Sequence, residues 1–599
     1  MKRQQFAVAF VLAVVVVVGC QRFVGQDFSE SGKRKEHSGP TATTQQDESN
    51  KPASESELAR ALNGEDILEE VVAMNSHTAN QNSEFRAGRV EPLAFDLDRI
   101  TKRENGFTIK LPSESPIPTP MVYQNRLYVS GGFSSKEYYC FDARTGDFIW
   151  GVQLDDDGPS SAVPYDESII FGCESCTIFA LAAKTGEMQW SHWLGDPLLS
   201  MPTVAGGRVF AVYPAVPPSS VTTGDTSPAD DPILLESSTP SDSMTPTHVA
   251  ICLDAQSGET VWQQWIDSDC MTAPVAVGDD LYLASLTGIV YQFGQQDGSI
   301  NLATRLRATS VPVVADDDLY LTRRADGDSG EIAECIAMHD RSTNRLQYVA
   351  ARRLAPYLDQ AVQRAASYST DAAEFESSNG IGGGFGGGFG GGSGGGFGSG
   401  GSFAVEDELS RDVPASDKAQ PVSPMNSILP QPSDAKSSDP LLRTELQAAD
   451  AIGLGNVSTL QSFQGSRVLY WKGRLYNCMG DQIVCTSAES GKTVWTKQVE
   501  GNLNEVGGHL ATPPVAAGKF LFVATVNGDV LQMKPQSGEI AASFQVDAPV
   551  RFPPVVHEGR IYVSTQDGQV VCIDTANTSL TGWSMWGGDA GHRNVVLQD

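Results

Sequence analysis

The sequence of 599 residues has no excess of basic charge: 42 Lys and Arg stand against 73 Asp and Glu, for a net charge of −31. A chain of that sign repels a phosphate backbone, and its basic runs are short, such as Arg352-Arg353, so nucleic acid is excluded as a general partner. No apolar stretch reaches the ~18 residues that a membrane-spanning helix needs. No two cysteines are adjacent, and no Cys-x-x-Cys is followed by His, which rules out covalent haem attachment. His-Glu-x-x-His does not occur, nor does Gly-x-Ser-x-Gly outside a glycine-rich tract, so no zinc protease or nucleophile-elbow hydrolase is indicated. The glycine tract lacks the Gly-Lys-Ser/Thr of a phosphate-binding loop. These absences leave a soluble, acidic, globular chain with loose segments.

Lys2 and Arg3 precede an apolar run from Phe6 to Val18, then Gly19 and Cys20. The run is too short to cross a bilayer comfortably, and its basic start fits a signal-peptide h-region. Val17-Val18-Gly19-Cys20 resembles the lipobox of bacterial lipoproteins, where the cysteine is diacylated and becomes the new N-terminus. Residues 1–19 are therefore expected to be a removed signal and Cys20 the lipid attachment. Two or more acyl chains anchor stably, since each buried CH2 contributes ~0.8 kcal/mol. Gln21 is a residue that, under the enterobacterial sorting rule, favours the outer membrane. Residues 20–95, rich in Ser, Gln, Glu, Thr and Lys, read as a disordered polar tether with one short helix around Leu58 to Met74.

The most informative feature present is repetition. Cys140-Phe-Asp-Ala-Arg-Thr-Gly-Asp-Phe-Ile-Trp150 returns at Ala180 to Trp190, at Cys252 to Trp262 and at Cys485 to Trp495. Softer copies begin at Gln292, Met338, Gln532 and Cys572, making eight. Ahead of each lies a Pro-containing apolar stretch, a polar break and alternating hydrophobics, as from Pro274 to Leu283. Asn527-Gly528 and Asp567-Gly568 mark hairpin turns, where only residues tolerant of positive φ fit. Each unit thus predicts four short antiparallel strands. Thr/Ser-Gly makes the last turn, and an Asp three residues earlier bonds the turn's own amides. The Trp four residues after Gly presents a flat apolar face to the neighbouring unit, so Trp150, Trp190, Trp262 and Trp495 are the expected docking residues. At roughly 43 residues, the period is that of a propeller blade, and eight blades can close into a ring. The last unit lacks an outer strand of its own, which Gly106 to Leu111 is expected to supply.

The pattern Ala/Cys-x-Asp-Ala-x-Thr/Ser-Gly-x-x-x-Trp resembles the repeat of the pyrroloquinoline-quinone (PQQ)-like eight-bladed propellers. That superfamily holds quinoprotein dehydrogenases and the lipoprotein BamB, a noncatalytic subunit of the outer-membrane β-barrel assembly machine. The tail from Trp583 to His592 is similar to an end motif of such proteins. The resemblance implies an all-β eight-bladed propeller over residues 96–599, interrupted by a Pro/Ser/Thr/Asp loop at 214–247 and a longer insertion at 351–459. That insertion reads as a helix near Leu346 to Tyr368, a Gly/Phe tract through Phe385, Phe389, Phe397 and Phe403, and a second helix from Leu441 to Ala451. A BamB-like role follows as the expectation: a protein-binding scaffold on the periplasmic side of the outer membrane, with envelope proteins as partners and no cofactor. Two alternatives stand beside it, a PQQ-dependent oxidoreductase with calcium and a propeller binding carbohydrate or another small ligand in its channel.

Nine cysteines remain beside Cys20. Cys140, Cys252, Cys485 and Cys572 recur at one place in four units and read as packing residues. Cys173-Glu-Ser-Cys176 falls at a strand turn, where a local disulfide and two free thiols are both open in an oxidising compartment. Asp326-Gly-Asp-Ser-Gly-Glu331 lacks the third ligand and distant Glu of an EF-hand; with Asp155–Asp157 and Asp316–Asp318 it reads as an acidic turn. His592 has no metal partner nearby in sequence. The quinoprotein's adjacent cysteines and calcium-holding carboxylates map onto no positions here, so no catalytic, cofactor-binding or metal residue is assigned.

Overall fold

The second and third strands of each repeat carry consecutive apolar residues, such as Leu127-Tyr-Val129 and Ile169-Ile-Phe171, because neighbouring sheets cover both of their faces. The outer strands alternate instead: in Thr493–Gln498 only every second residue is partly covered. In a computed structural model these strands form eight sheets of four or five strands arranged as a propeller. It describes residues 64–77, 87–173, 177–194, 201–215, 244, 246–270, 272–285, 287–315, 318–326, 332–342, 345–354, 466–502 and 509–591. Blade 1 consists of Met121–Tyr123, Arg126–Ser130, Glu137–Asp142 and Phe148–Leu154, running from the axis outward. Blades 2 to 7 occupy 163–193, 203–266, 275–305, 313–354, 468–498 and 515–545. Blade 8 has three strands of its own, within 555–574.

The fourth strand of blade 8 comes from the other end of the chain. Gly106–Lys110 pairs antiparallel with Gln569–Asp574, setting Phe107 opposite Cys572 as Trp150 stands opposite Cys140 in blade 1. In the other seven blades the register between the third and the outer strand slips near the start of the outer strand. The borrowed strand is not joined to the third by a hairpin, and its register runs without a shift. Across the seam, the Tyr562 hydroxyl donates to the carbonyl of Ala143 in blade 1 at 2.8 Å.

Within the span 20–95, expected as a tether, residues 64–77 and 87–95 lie on the ring. Glu65–Asp66 adds a fifth strand to the rim of blade 4. The helix Leu68–His77 follows, with Ile67, Val71 and Met74 buried at the spacing of a helical face. Asn75 binds the rim of blade 3 through its amide, donating to the Trp265 carbonyl and accepting from the Trp265 N–H. Gly88 N–H donates to Ser191 of blade 2. Val90–Pro92 then pairs with blade 1, and Ile100–Arg103 pairs with Gly106–Lys110 on blade 8. The segment thus passes blades 4, 3, 2, 1 and 8 in turn, counter to the order of the blades, and caps edges that would otherwise present unpaired amides.

The expected helix near Leu346 begins instead as a strand, Arg345–Leu354, the outer strand of blade 5, so blade 5 runs past the expected insertion start at 351. Ala, Arg and Leu favour helix intrinsically, but pairing with Ile332–Asp340 overrides that preference. Cys20, Cys176, His592, the Gly/Phe tract, the helix from Leu441 and nearly all of the loop at 214–247 lie outside the described residues.

Phe107 is buried at the closing seam, so Phe107→Ala is expected to lower stability by about 3–5 kcal/mol. The check is a denaturant titration, in which Lys110→Ala on the same strand, exposed, should leave the midpoint nearly unmoved.

Candidate functional site

One junction recurs between blades, and the expected docking residues lie in it. Trp150 Nε1 donates to the Ala183 carbonyl of blade 2 at 3.1 Å, and the Tyr128 hydroxyl donates to the same oxygen at 3.0 Å. Trp190 donates to Ala255 of blade 3, and Trp262 to Gln295 of blade 4. In blade 6, Trp495 and Tyr476 both donate to Pro535 of blade 7. The accepting carbonyl belongs each time to the repeated turn, just after its first residue. There Asp142 Oδ1 accepts from the Arg144 and Thr145 amides, and Asp254 Oδ1 from those of Gln256 and Ser257. The turn glycine lies beneath the indole of the preceding blade. At Gly258, with φ +73°, an added Cβ would stand 2.7 Å from His192 Nε2 and 2.9 Å from the Trp190 ring. Phe107 covers Gly146 in the same way at the seam. The paired tyrosines were legible only as the Tyr of each Leu-Tyr strand, with nothing in the sequence to show where the hydroxyl goes.

The recurrent cysteines stand directly opposite the aromatic residues: Cys140 opposite Trp150, Cys252 opposite Trp262, Cys485 opposite Trp495. All four, with Cys572, are buried on separate blades. Burial pushes the thiols of Cys140, Cys252 and Cys572 up to about 12, and raises that of Cys485 as well. A thiol held neutral in this way is neither a nucleophile nor a soft metal ligand at neutral pH. Cys173 is buried just past the strand Ser168–Gly172, its N–H bonded to the Thr177 carbonyl.

Adjacent strands run in opposite directions, so the connection between strands 2 and 3 of a blade and the connection to the next blade share one face of the ring. The chain leaves the described residues after Ala215, between strands 2 and 3 of blade 3, and again after Leu354, between blades 5 and 6. Both long insertions therefore depart from the same face. On that face the loop after blade 3 is pinned by Asp267, which accepts from the hydroxyls of Tyr291 at 2.6 Å, Ser268 at 3.2 Å and Thr287. Burial and the neighbouring Asp267 carboxylate both raise the Tyr291 phenol.

The centre of the ring is not open. Gly582–Trp583 pairs with Val515–Ala517, the innermost strand of blade 7. The Ser584 carbonyl accepts from Val556 N–H on the innermost strand of blade 8. Met585 and Trp586 are buried in one apolar cluster with Ile117, Met201, Ala273 and Val555. A quinone and calcium do not fit the described residues. Among the described residues no group of three or more His, Cys, Asp or Glu is placed to hold a metal, and the channel contains the chain's own side chains.

The family described as outer membrane protein assembly factor BamB matches the chain over residues 134–226, 246–381 and 479–596. Among solved structures, BamB from Moraxella catarrhalis is 14% identical, aligned over 79% of this chain and 99% of its own, with a TM-score of 0.43. Saccharomyces cerevisiae Sqt1 is 8% identical over 78% of this chain and 97% of its own, with a TM-score of 0.42. Quinohemoprotein alcohol dehydrogenase from Comamonas testosteroni is 11% identical over 87% and 82%, with a TM-score of 0.41. No curated protein matches the chain significantly.

The junction separates two costs of replacing glycine. Gly206 also has positive φ, but an added Cβ there meets nothing within 4 Å. Gly206→Ala is expected to cost about 1 kcal/mol through backbone strain. Gly258→Ala should cost about 2–4 kcal/mol, because the Trp190 ring must also move; denaturant titrations of the two variants check the difference.

The thiols carry a pH signature. Cys140, Cys252 and Cys572 ionise near the ordinary value of 9.0 when unfolded but only near about 12 in the ring. Their contribution is therefore complete below pH 9 and is lost as pH rises from 9 towards 12. Unfolding free energy should fall across that window, and Cys140→Ala should make the fall shallower.

Proposed function

The chain belongs to the family described as outer membrane protein assembly factor BamB, which matches more than half of its residues, and from that membership we propose that it is a noncatalytic assembly scaffold of the cell envelope. The family match is the observation that carries this reading. The geometry supports it: a ring of rigid sheets holds its connecting loops in fixed positions, and such loops suit the binding of a protein partner. The recurrent buried thiols are held neutral, which suits them to packing and not to nucleophilic attack. A diacylated Cys20 would hold the protein on the periplasmic side of the outer membrane. The partners are envelope proteins, and the net charge of −31 weighs against polyanions.

Tagged full-length protein, captured from detergent-solubilised envelope, is expected to bring down a protein of the outer-membrane β-barrel assembly machinery. Recovery of none would remove the assembly role while leaving the family intact. Cys20→Ser is expected to move the protein from the membrane to the soluble fraction, as read by fractionation. Retention of that variant in the membrane would overturn the lipid anchor.

A further inference from the structure

The ring is closed without its C-terminal segment. The strand Gly106–Lys110 completes blade 8, and the Tyr562 hydroxyl bridges to blade 1. The segment after blade 8 nevertheless turns back into the channel. Thr581 accepts from Gly518 N–H at the turn of blade 7, and Gly582–Trp583 then adds a short strand to the inner edge of that blade. Beyond Ser584 the described backbone bonds are local: Ser584 N–H to the Gly588 carbonyl at 2.9 Å, and Gly588 N–H to the Met585 carbonyl at 3.0 Å. Gly587 and Gly588, at φ +70° and +94°, make this reversal possible and set Met585 and Trp586 into the channel. The two side chains are 1% and 4% exposed. Their apolar cluster includes Ile117, Met201 and Ala273, which lead into blades 1, 3 and 4, together with Val555, Tyr562, Val570 and Cys572 of blade 8, so it reaches across the ring from the blades that hold the segment.

A short strand added to a sheet edge, followed by bulky apolar side chains in a cavity, is the way a peptide ligand binds a sheet-edged site. We propose that the central channel is a peptide-binding site which the protein fills in cis with its own segment Gly582–Gly591, and that release of this plug admits another extended peptide bearing bulky apolar side chains. The inference is independent of the assembly role. The covalent link to the ring is the stretch 575–581, where Ala576 has φ +54° and Ser579 is exposed.

The test is a full-length chain with a protease recognition sequence inserted between Asn577 and Thr578, cleaved after folding. A fluorescein-labelled peptide of residues 580–591 is the probe, read by anisotropy, with circular dichroism reporting the fold. The cleaved ring is expected to release its plug and bind the probe saturably. The uncleaved ring should bind it at least about tenfold more weakly, since a tethered segment competes at an effective concentration on the order of mM. A probe carrying Trp586→Ala should also bind at least about tenfold more weakly than the parent, because it lacks a central aromatic anchor. Absence of saturable binding, equal binding before and after cleavage, or equal binding of the Trp586→Ala probe would each overturn the proposal. Unfolding of the cleaved ring, or a plug that never exchanges, would show the segment to be part of the core and overturn it equally.

Discussion

The ring depends most on an aromatic residue lying against a turn glycine of the following blade, an indole in blades 1, 2, 3 and 6 and Phe107 at the closing seam. The glycine must take a left-handed conformation for the turn and must lack a side chain for the ring above it, and the same turn offers the carbonyl to which the indole N–H donates. A flat apolar surface, a directional hydrogen bond and a steric requirement thus converge on one small contact, made by blades 1, 2, 3 and 6. Sheets that pack face to face through such contacts have two buried surfaces, which explains why their middle strands are apolar without alternation. The cysteines facing the indoles follow from the same crowding, since a small polarizable side chain fits where a larger one would push the aromatic ring aside.

A closed ring still has outer edges, and the two ends of the chain address different parts of the problem. The N-terminal segment caps the rim edges of blades 4 and 1 and supplies the closing strand of blade 8. The C-terminal segment occupies the axis, where a circular arrangement of eight sheets leaves apolar side chains facing a channel. Both long insertions depart from one face of the ring.

The repeat made the fold legible. Period, turn chemistry and the position of Trp together allowed eight four-stranded sheets, and the missing eighth outer strand pointed to Gly106 onward. The packing of residues 64–95 was less visible. Ile67, Val71 and Met74 have helical spacing, but their polar surroundings resemble a tether, and only the groove between blades 3 and 4 makes burial worthwhile. Arg345–Leu354 misled for a related reason: its residues suit a helix, and a strand forms there because blade 5 offers an edge to pair with.

The sequence by itself determined what local chemistry can encode: strands from apolar runs, turns from Asp and Gly, and inter-blade contact from a recurring indole. Each of these rests on neighbours within about ten residues, so the pattern survives in one dimension. Only the tertiary structure decided which carbonyl the Trp and Tyr donors share, which edges the N-terminal segment covers, and that Met585 and Trp586 close the axis. Those contacts join residues tens to hundreds of positions apart, and they exist only once the circle has brought the two ends of the chain together.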